Sequence, residues 1–165
     1  MKYDELNIEL TQKAQNDQNY IRYIKWLKDG GAIFDNIEFP VAFGPTGYIG
    51  VIAKEEIPAN KVFVAIPNNL LLSTYLVEQS ELKVILEENP HLFDLDEDDD
   101  AQFNKLALYL MKEKIKGENS FWYPYLQIAP ESFTLLDWKE EEVQEIGDHY
   151  LYLQYREFRI SSYLI

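Results

Sequence analysis

Three glycines within seven positions, Gly44-Pro45-Thr46-Gly47-Tyr48-Ile49-Gly50, make the stretch best suited to hold a ligand. Glycine adopts positive φ and lacks a Cβ, so another backbone or a ligand can approach such a stretch closely. A tight turn entering a sheet fits the same residues, and on local pattern alone the turn is the simpler reading. Other candidates fail on spacing. Asp94–Asp100, interrupted by Leu95, would need glycine at the sixth position of a calcium loop and glutamate at the twelfth; it offers Asp99 and Lys105. That run reads instead as a solvated acidic loop at the start of the next helix, where negative charge is favoured. Glu140-Glu141-Glu142 likewise suits the solvated first turn of a helix better than an acid/base pair. The two histidines, His91 and His149, stand far apart, and the chain has no cysteine, which removes disulfides and thiolate metal sites. Neither a nucleophile elbow nor a phosphate-binding GxxxxGK[ST] loop occurs. No metal site and no catalytic residue is assigned.

Elements on either side must position the glycine stretch. Val51-Ile52-Ala53 and Val62–Ile66 are apolar, β-branched runs, predicted to pair as adjacent strands. Pro58 and Asn60 shape the Ile57–Lys61 connection. Ile37–Phe43 alternates like an edge strand, because Pro40 cannot donate to a ladder. Before it, Asp4–Lys28 reads as helical, with a break capped by Asn16 or Asp17 and a stop at Gly30-Gly31. Ser80 is a candidate cap for a short helix that stops at Asn89-Pro90. Ala101–Lys116 is the strongest helix: Phe103, Leu106, Ala107, Leu110 and Met111 share a face, and Gly117 ends it. Phe121-Trp122-Tyr123 before Pro124 predicts a packed aromatic loop or an exposed binding patch. Val143–Ile165 reads as helix throughout, carrying Tyr150, Leu151, Leu153, Tyr155, Phe158 and Ile160.

A chain of 165 residues suits one domain or a substantial part of one, and 47% hydrophobic residues can supply its core. Net charge −14 and a pI near 4.5 exclude a basic nucleic-acid-binding surface and disfavour an anionic membrane. They favour a basic protein partner. No apolar run approaches transmembrane length, and Met1–Glu5 lacks the hydrophobic start of a signal peptide. The expectation is a soluble intracellular protein, cytoplasmic or nuclear.

Several blocks occur in an order that resembles a known family. They run from the glycine turn through Gly50-Val51-Ile52-Ala53, Glu56-Ile57, Val62-Phe63-Val64-Ala65-Ile66-Pro67 and Leu70-Leu71-Leu72-Ser73. Further on come Glu118-Asn119-Ser120-Phe121-Trp122-Tyr123-Pro124-Tyr125-Leu126, Pro130-Glu131-Ser132-Phe133 and Trp138. Together these resemble the N-terminal half of a SET domain of the Rubisco large-subunit methyltransferase and actin-histidine methyltransferase class, from about Tyr20 to Ile146.

The resemblance implies an α+β fold: residues 1–36 as an N-terminal helical segment, 37–78 as the first part of the SET core, and 79–165 as the helical SET insertion. It implies S-adenosylmethionine as methyl donor, and a lysine or histidine side chain of a protein as acceptor. Gly47, Tyr48 and Ile49 match the triplet that contacts the cofactor in this family, and Gly50 matches the adjoining glycine. Gly47 stands where glutamate is common and Tyr48 where the family's first glycine falls. The family's Asn-His pair and late channel tyrosine have no counterpart, since neither histidine follows an asparagine. The chain is therefore expected to be either a fragment, inactive alone, or a degenerate, non-catalytic acidic interaction module. A partial SET core would also leave strand edges unpaired and prone to self-association.

Overall fold

The computed structural model describes residues 5–93, 99–130 and 134–162. Most of the acidic run Asp94–Asp100, and the matched residues Glu131, Ser132 and Phe133, lie outside them. The described residues combine helices with one two-stranded sheet, so the α+β class holds. The helices are α1 (Ile8–Gln15), α2 (Gln18–Asp29), α3 (Thr74–Glu78), α4 (Lys83–Glu88), α5 (Pro90–Phe93), α6 (Asp99–Lys116), α7 (Tyr123–Ile128), α8 (Glu140–Glu145) and α9 (His149–Ser162). The strands are β1 (Ile37–Phe43) and β2 (Tyr48–Ala53). No helix among the described residues is long and apolar enough to cross a membrane. Contacts divide the chain into two units, Met1–Ala129 and Pro130–Ile165.

In the first unit, the expected helical break falls where the caps allow it. The Asp17 carboxylate accepts from Asn19 N–H at 2.7 Å and starts α2, while Gly30 and Gly31 end it. β1 and β2 form an antiparallel hairpin, in register Val41↔Gly50, Ala42↔Ile49 and Phe43↔Tyr48. The ladder slips between Glu38 and Val41, where Pro40 has no N–H to give.

Here the structure corrects the expected strand pairing. β2 pairs with β1, and Val62–Ile66 is not its partner. That segment makes an isolated bridge, in which Ala65 and Ile33 exchange main-chain hydrogen bonds of 2.8 and 2.9 Å. Gly44 and Gly47, both at positive φ, join β1 to β2 across four residues, which makes β1 the neighbour of low closure cost. Ala65 satisfies its main chain on Ile33 instead, and the other edge of β2 stays unpaired among the described residues. Val62 and Phe63 remain 72% and 50% exposed.

The main core collects Val77, Leu82, Leu86, Phe93, Tyr109 and Trp122, with Trp26 linking it to a smaller cluster of Leu27, Ala32 and Leu70. The face of α6 that packs inward also differs from the expected one. Phe103 and Met111 are exposed, whereas Ala101, Tyr109 and Glu113 are buried. Of the expected stripe, Leu106 does pack against the core, but the buried face is rotated toward Ala101, Tyr109 and Glu113, the last a carboxylate that carries its own hydrogen-bond partners and is invisible to hydrophobic spacing.

The second unit is built from α8 and α9. The single helix expected over Val143–Ile165 is interrupted: Gly147 takes φ +75, and the Asp148 carboxylate accepts from Tyr150 and Leu151 N–H to restart it as α9. Val143 and Tyr155 are buried, and Tyr155 Oη donates to Trp138 O at 3.0 Å.

Candidate functional site

All four predicted cofactor-proximal residues fall together at one end of the hairpin. Gly47 closes the turn, and Tyr48, Ile49 and Gly50 open β2. The ring of Tyr48 is half exposed and stacks on Phe43, centroids 5.5 Å apart.

Neither glycine offers its bare face to a ligand. A Cβ at Gly47 would collide with Leu10 Cδ1 from α1, and one at Gly50 would lie 3.0 Å from Phe43 Cε2. The space released by the missing side chains is filled from within the protein. What the site can present is the edge of β2. Antiparallel pairs alternate between those that exchange main-chain hydrogen bonds and those whose N–H and C=O point outward. Ala42 turns its main chain away from β2: its N–H donates to Thr11 Oγ1 at 2.9 Å, and its C=O accepts from Asn7 N–H at 2.8 Å. Ala42 pairs with Ile49. The Ile49 N–H and C=O therefore point to the outer edge of β2, where they have no main-chain partner among the described residues. One donor and one acceptor beside an exposed aromatic ring can bind a polar, planar-ended ligand.

The opposite side of the hairpin is fully engaged. Gly44 N–H donates to Glu5 O at 2.8 Å, Asn7 Nδ2 donates to Gly44 O at 3.0 Å, and Gln15 Nε2 donates to Glu38 Oε1 at 2.7 Å. Sequence reading missed this support entirely, because Asn7 and Thr11 fall inside the stretch read as helical from Asp4, with nothing local to single them out.

The aromatic block is resolved into two roles. Trp122 is 2% exposed and donates through Nε1 to Tyr109 Oη at 3.0 Å, so it is core. Phe121 is 53% exposed and packs against Trp26, centroids 5.4 Å apart. Beside it runs a charged network that the sequence did not announce. Glu113 accepts from Ser120 Oγ at 2.6 Å and from Lys116 Nζ at 2.9 Å, while Glu81 reaches Lys112 at 2.7 Å and Lys116 at 3.1 Å. Burial pushes the Glu113 carboxyl upward, but the hydrogen bonds from Ser120 and Lys116 outweigh it and hold it below the usual carboxylate range. Exposed Glu81, bonded by Lys112 and then by its own backbone and Lys116, is held at about 2, and the Lys116 ammonium is raised by its bonds to Glu113 and then to Glu81. This network ties α6 to the Ser120-Trp122 corner rather than forming a reactive centre. No group of His, Cys, Asp and Glu that could hold a metal occurs among the described residues.

No protein-family model matches the chain. Individual proteins do. The actin-histidine N-methyltransferase of Gallus gallus is 30% identical over 149 residues, which are 87% of this chain and 23% of that protein. That of Xenopus tropicalis is 35% identical over 133 residues. The chloroplastic [fructose-bisphosphate aldolase]-lysine N-methyltransferase of Arabidopsis thaliana is 29% identical over 130 residues. This chain thus spans about a quarter of the length of these relatives, 24% in the Arabidopsis case. Among solved structures, Rubisco LSMT bound to sinefungin and monomethyllysine superposes with a TM-score of 0.66 at 25% identity, over 88% of this chain and 31% of that one. The same protein bound to AdoMet gives 0.63 at 26% identity. Over most of its length, this chain matches in sequence and in fold a part of the SET-domain protein methyltransferases of the Rubisco large-subunit and actin-histidine class.

Proposed function

We propose that these residues form the cofactor-proximal part of a SET-type protein N-methyltransferase that uses S-adenosylmethionine and takes a lysine or histidine side chain as acceptor. Residues 37–78 are the first part of its SET core, and 79–165 belong to the insertion. The observation that carries the reading is the free edge of β2, where Ile49 directs its main-chain N–H and C=O outward beside Tyr48 and the Gly47 turn.

When bound, the cofactor supplies a sulfonium methyl group open to in-line displacement. The contribution of this chain is alignment and exclusion of water: Ile49 holds polar groups at the strand edge, Tyr48 covers one side, and Gly47 and Gly50 keep the hairpin end tight. No residue here matches the family's Asn-His pair or its tyrosine, so methyl transfer is not assigned to these residues by themselves. The protein partner is basic, complementing a net charge of −14. The extended Val62–Val64 segment and the outer edge of β2 also give the chain surfaces for self-association.

Calorimetric titration with S-adenosylhomocysteine tests the reading. The folded chain should bind it, and Ile49→Pro should weaken binding, because it removes an outward N–H without taking a ladder bond. A folded chain that takes up no heat, or an I49P variant that binds equally, would overturn it. A second reading, a non-catalytic acidic module, draws on the exposed turn Glu140-Glu141-Glu142. It predicts salt-sensitive binding to a lysine-rich peptide with no response to the nucleoside.

A further inference from the structure

We infer that α1 is a positioning clamp for the glycine turn, with Leu10 and Thr11 as the residues that set its conformation from the side opposite the free β2 edge. The inference rests on the reading of that edge as the cofactor side.

Three separate contacts support it, and all converge on the hairpin end. Thr11 is 8% exposed, and its hydroxyl serves Ala42 twice, accepting from its N–H at 2.9 Å and donating to its C=O at 3.4 Å. It thereby extends the pairing that the Leu6–Phe43 bridge begins along the outer edge of β1, satisfying the Ala42 N–H just beyond the point where Pro40 interrupts the ladder. Leu10 fills the face of Gly47 that a side chain would otherwise occupy. Asn7 does two jobs at once: its Oδ1 caps α1 through Leu10 N–H at 3.1 Å, and its Nδ2 holds the Gly44 carbonyl at 3.0 Å. The start of the helix and the start of the turn are therefore fixed by one side chain.

Beyond α1, the turn is held by the antiparallel bridge of Leu6 to Phe43, in which Gly44 N–H donates to Glu5 O and Asn7 N–H to Ala42 O, both at 2.8 Å. Gly44 and Gly47 sit at φ +66 and +69 and lose more conformational freedom than other residues on folding. β2 has a paired neighbour on one edge only, among the described residues. Without α1, the hairpin end would sample other turn geometries, and the direction of the Ile49 N–H and C=O would no longer be set. A ligand on the outer edge would then have to order the turn on binding, which lowers its apparent affinity.

The test compares Thr11→Val, Thr11→Ser and Leu10→Ala in the 165-residue chain. Amide hydrogen exchange is followed at Tyr48 and Gly50, whose N–H groups face β1 rather than α1, with Tyr109 in α6 as an internal reference. S-Adenosylhomocysteine affinity is measured in parallel. Loss of the Thr11 hydrogen bonds should speed exchange at Tyr48 and Gly50 roughly fivefold to tenfold and leave Tyr109 unchanged. Binding should weaken by a similar factor, T11S should restore both, and L10A should behave like T11V. Unchanged exchange at Tyr48 and Gly50 in T11V and L10A would overturn the clamp. So would faster exchange with unaltered affinity. If the unmodified chain binds no S-adenosylhomocysteine, the cofactor reading fails by itself. The clamp is then judged on exchange: a rise in T11V reversed in T11S retains it, and no rise removes it.

Discussion

Replacing Glu113 by Gln tests whether a buried carboxylate, rather than an apolar stripe, anchors α6. Its side chain is 4% exposed and lies 2.9 Å from Lys116 and 3.4 Å from Lys112. The amide of Gln can still accept from Ser120, so the change removes mainly the charge. A hydrogen bond to a charged group contributes about 1.5–3 kcal/mol. Both lysines keep Glu81 as a partner, which places the expected loss at the lower end, about 1.5–2 kcal/mol. For a chain of this size each kcal/mol corresponds to roughly 2–4 °C, so Tm should fall by about 3–8 °C in calorimetry at neutral pH. The pH dependence supplies a second check. The Glu113 carboxyl is lowered from its ordinary value of 4.5, so the native state favours its ionised form. Its contribution is present above that value and is lost as pH falls through the lower native one. The difference in Tm between the unmodified chain and E113Q should accordingly shrink as pH falls below 4.5. A difference under about 0.5 kcal/mol at neutral pH, or one that does not change on acidification, would refute the reasoning. Glu81 serves as a contrast. Its side chain is 64% exposed, so Glu81→Gln should stay within about 0.5 kcal/mol despite the strongly lowered carboxyl.

Other expectations follow from single contacts. Trp122→Phe removes a buried N–H donor to Tyr109 and leaves a void, and urea unfolding should show a loss of about 2–3 kcal/mol; a loss under about 1 kcal/mol would mean the core closes around the smaller ring. Gly147→Ala meets no atom within 4 Å, so only its φ of +75 opposes the new side chain, at about 1–2 kcal/mol. Gly47→Ala adds the collision with Leu10 to a similar φ and should cost more by thermal melting; equal costs would show that Leu10 yields freely. Phe63→Lys, on the exposed segment that follows Asn60, should reduce association in sedimentation velocity at high protein concentration. A chain that is monomeric before the substitution would contradict the strand-edge reading.

The sequence by itself determined much of the local structure and the family. Asp17, Gly30-Gly31 and Gly117 mark helix ends by cap chemistry that needs no distant partner. The glycine turn and the ordered blocks from Gly50 to Trp138 carry the resemblance that the comparisons bear out. Tertiary structure alone decided what those elements meet. The apolar run Val62–Ile66 reads as a strand because its composition is that of one, yet its main chain pairs at Ala65 with Ile33, a partner that no local pattern names. Helical periodicity assigned Phe103 and Met111 to the core, whereas the buried face carries Glu113, whose desolvation is offset by Lys116 and the Ser120 hydroxyl, partners that only the fold brings to it. Gly147 and Asp148, by contrast, end one helix and start the next by the same cap chemistry as Gly30 and Asp17, a local signal that reading Val143–Ile165 as one helix passed over. The support behind the candidate site, from Asn7, Leu10 and Thr11, was hidden from any local pattern. It consists of bonds spanning more than thirty residues of sequence, such as that from Asn7 to Gly44, 37 positions away, and local pattern holds no record of such pairings.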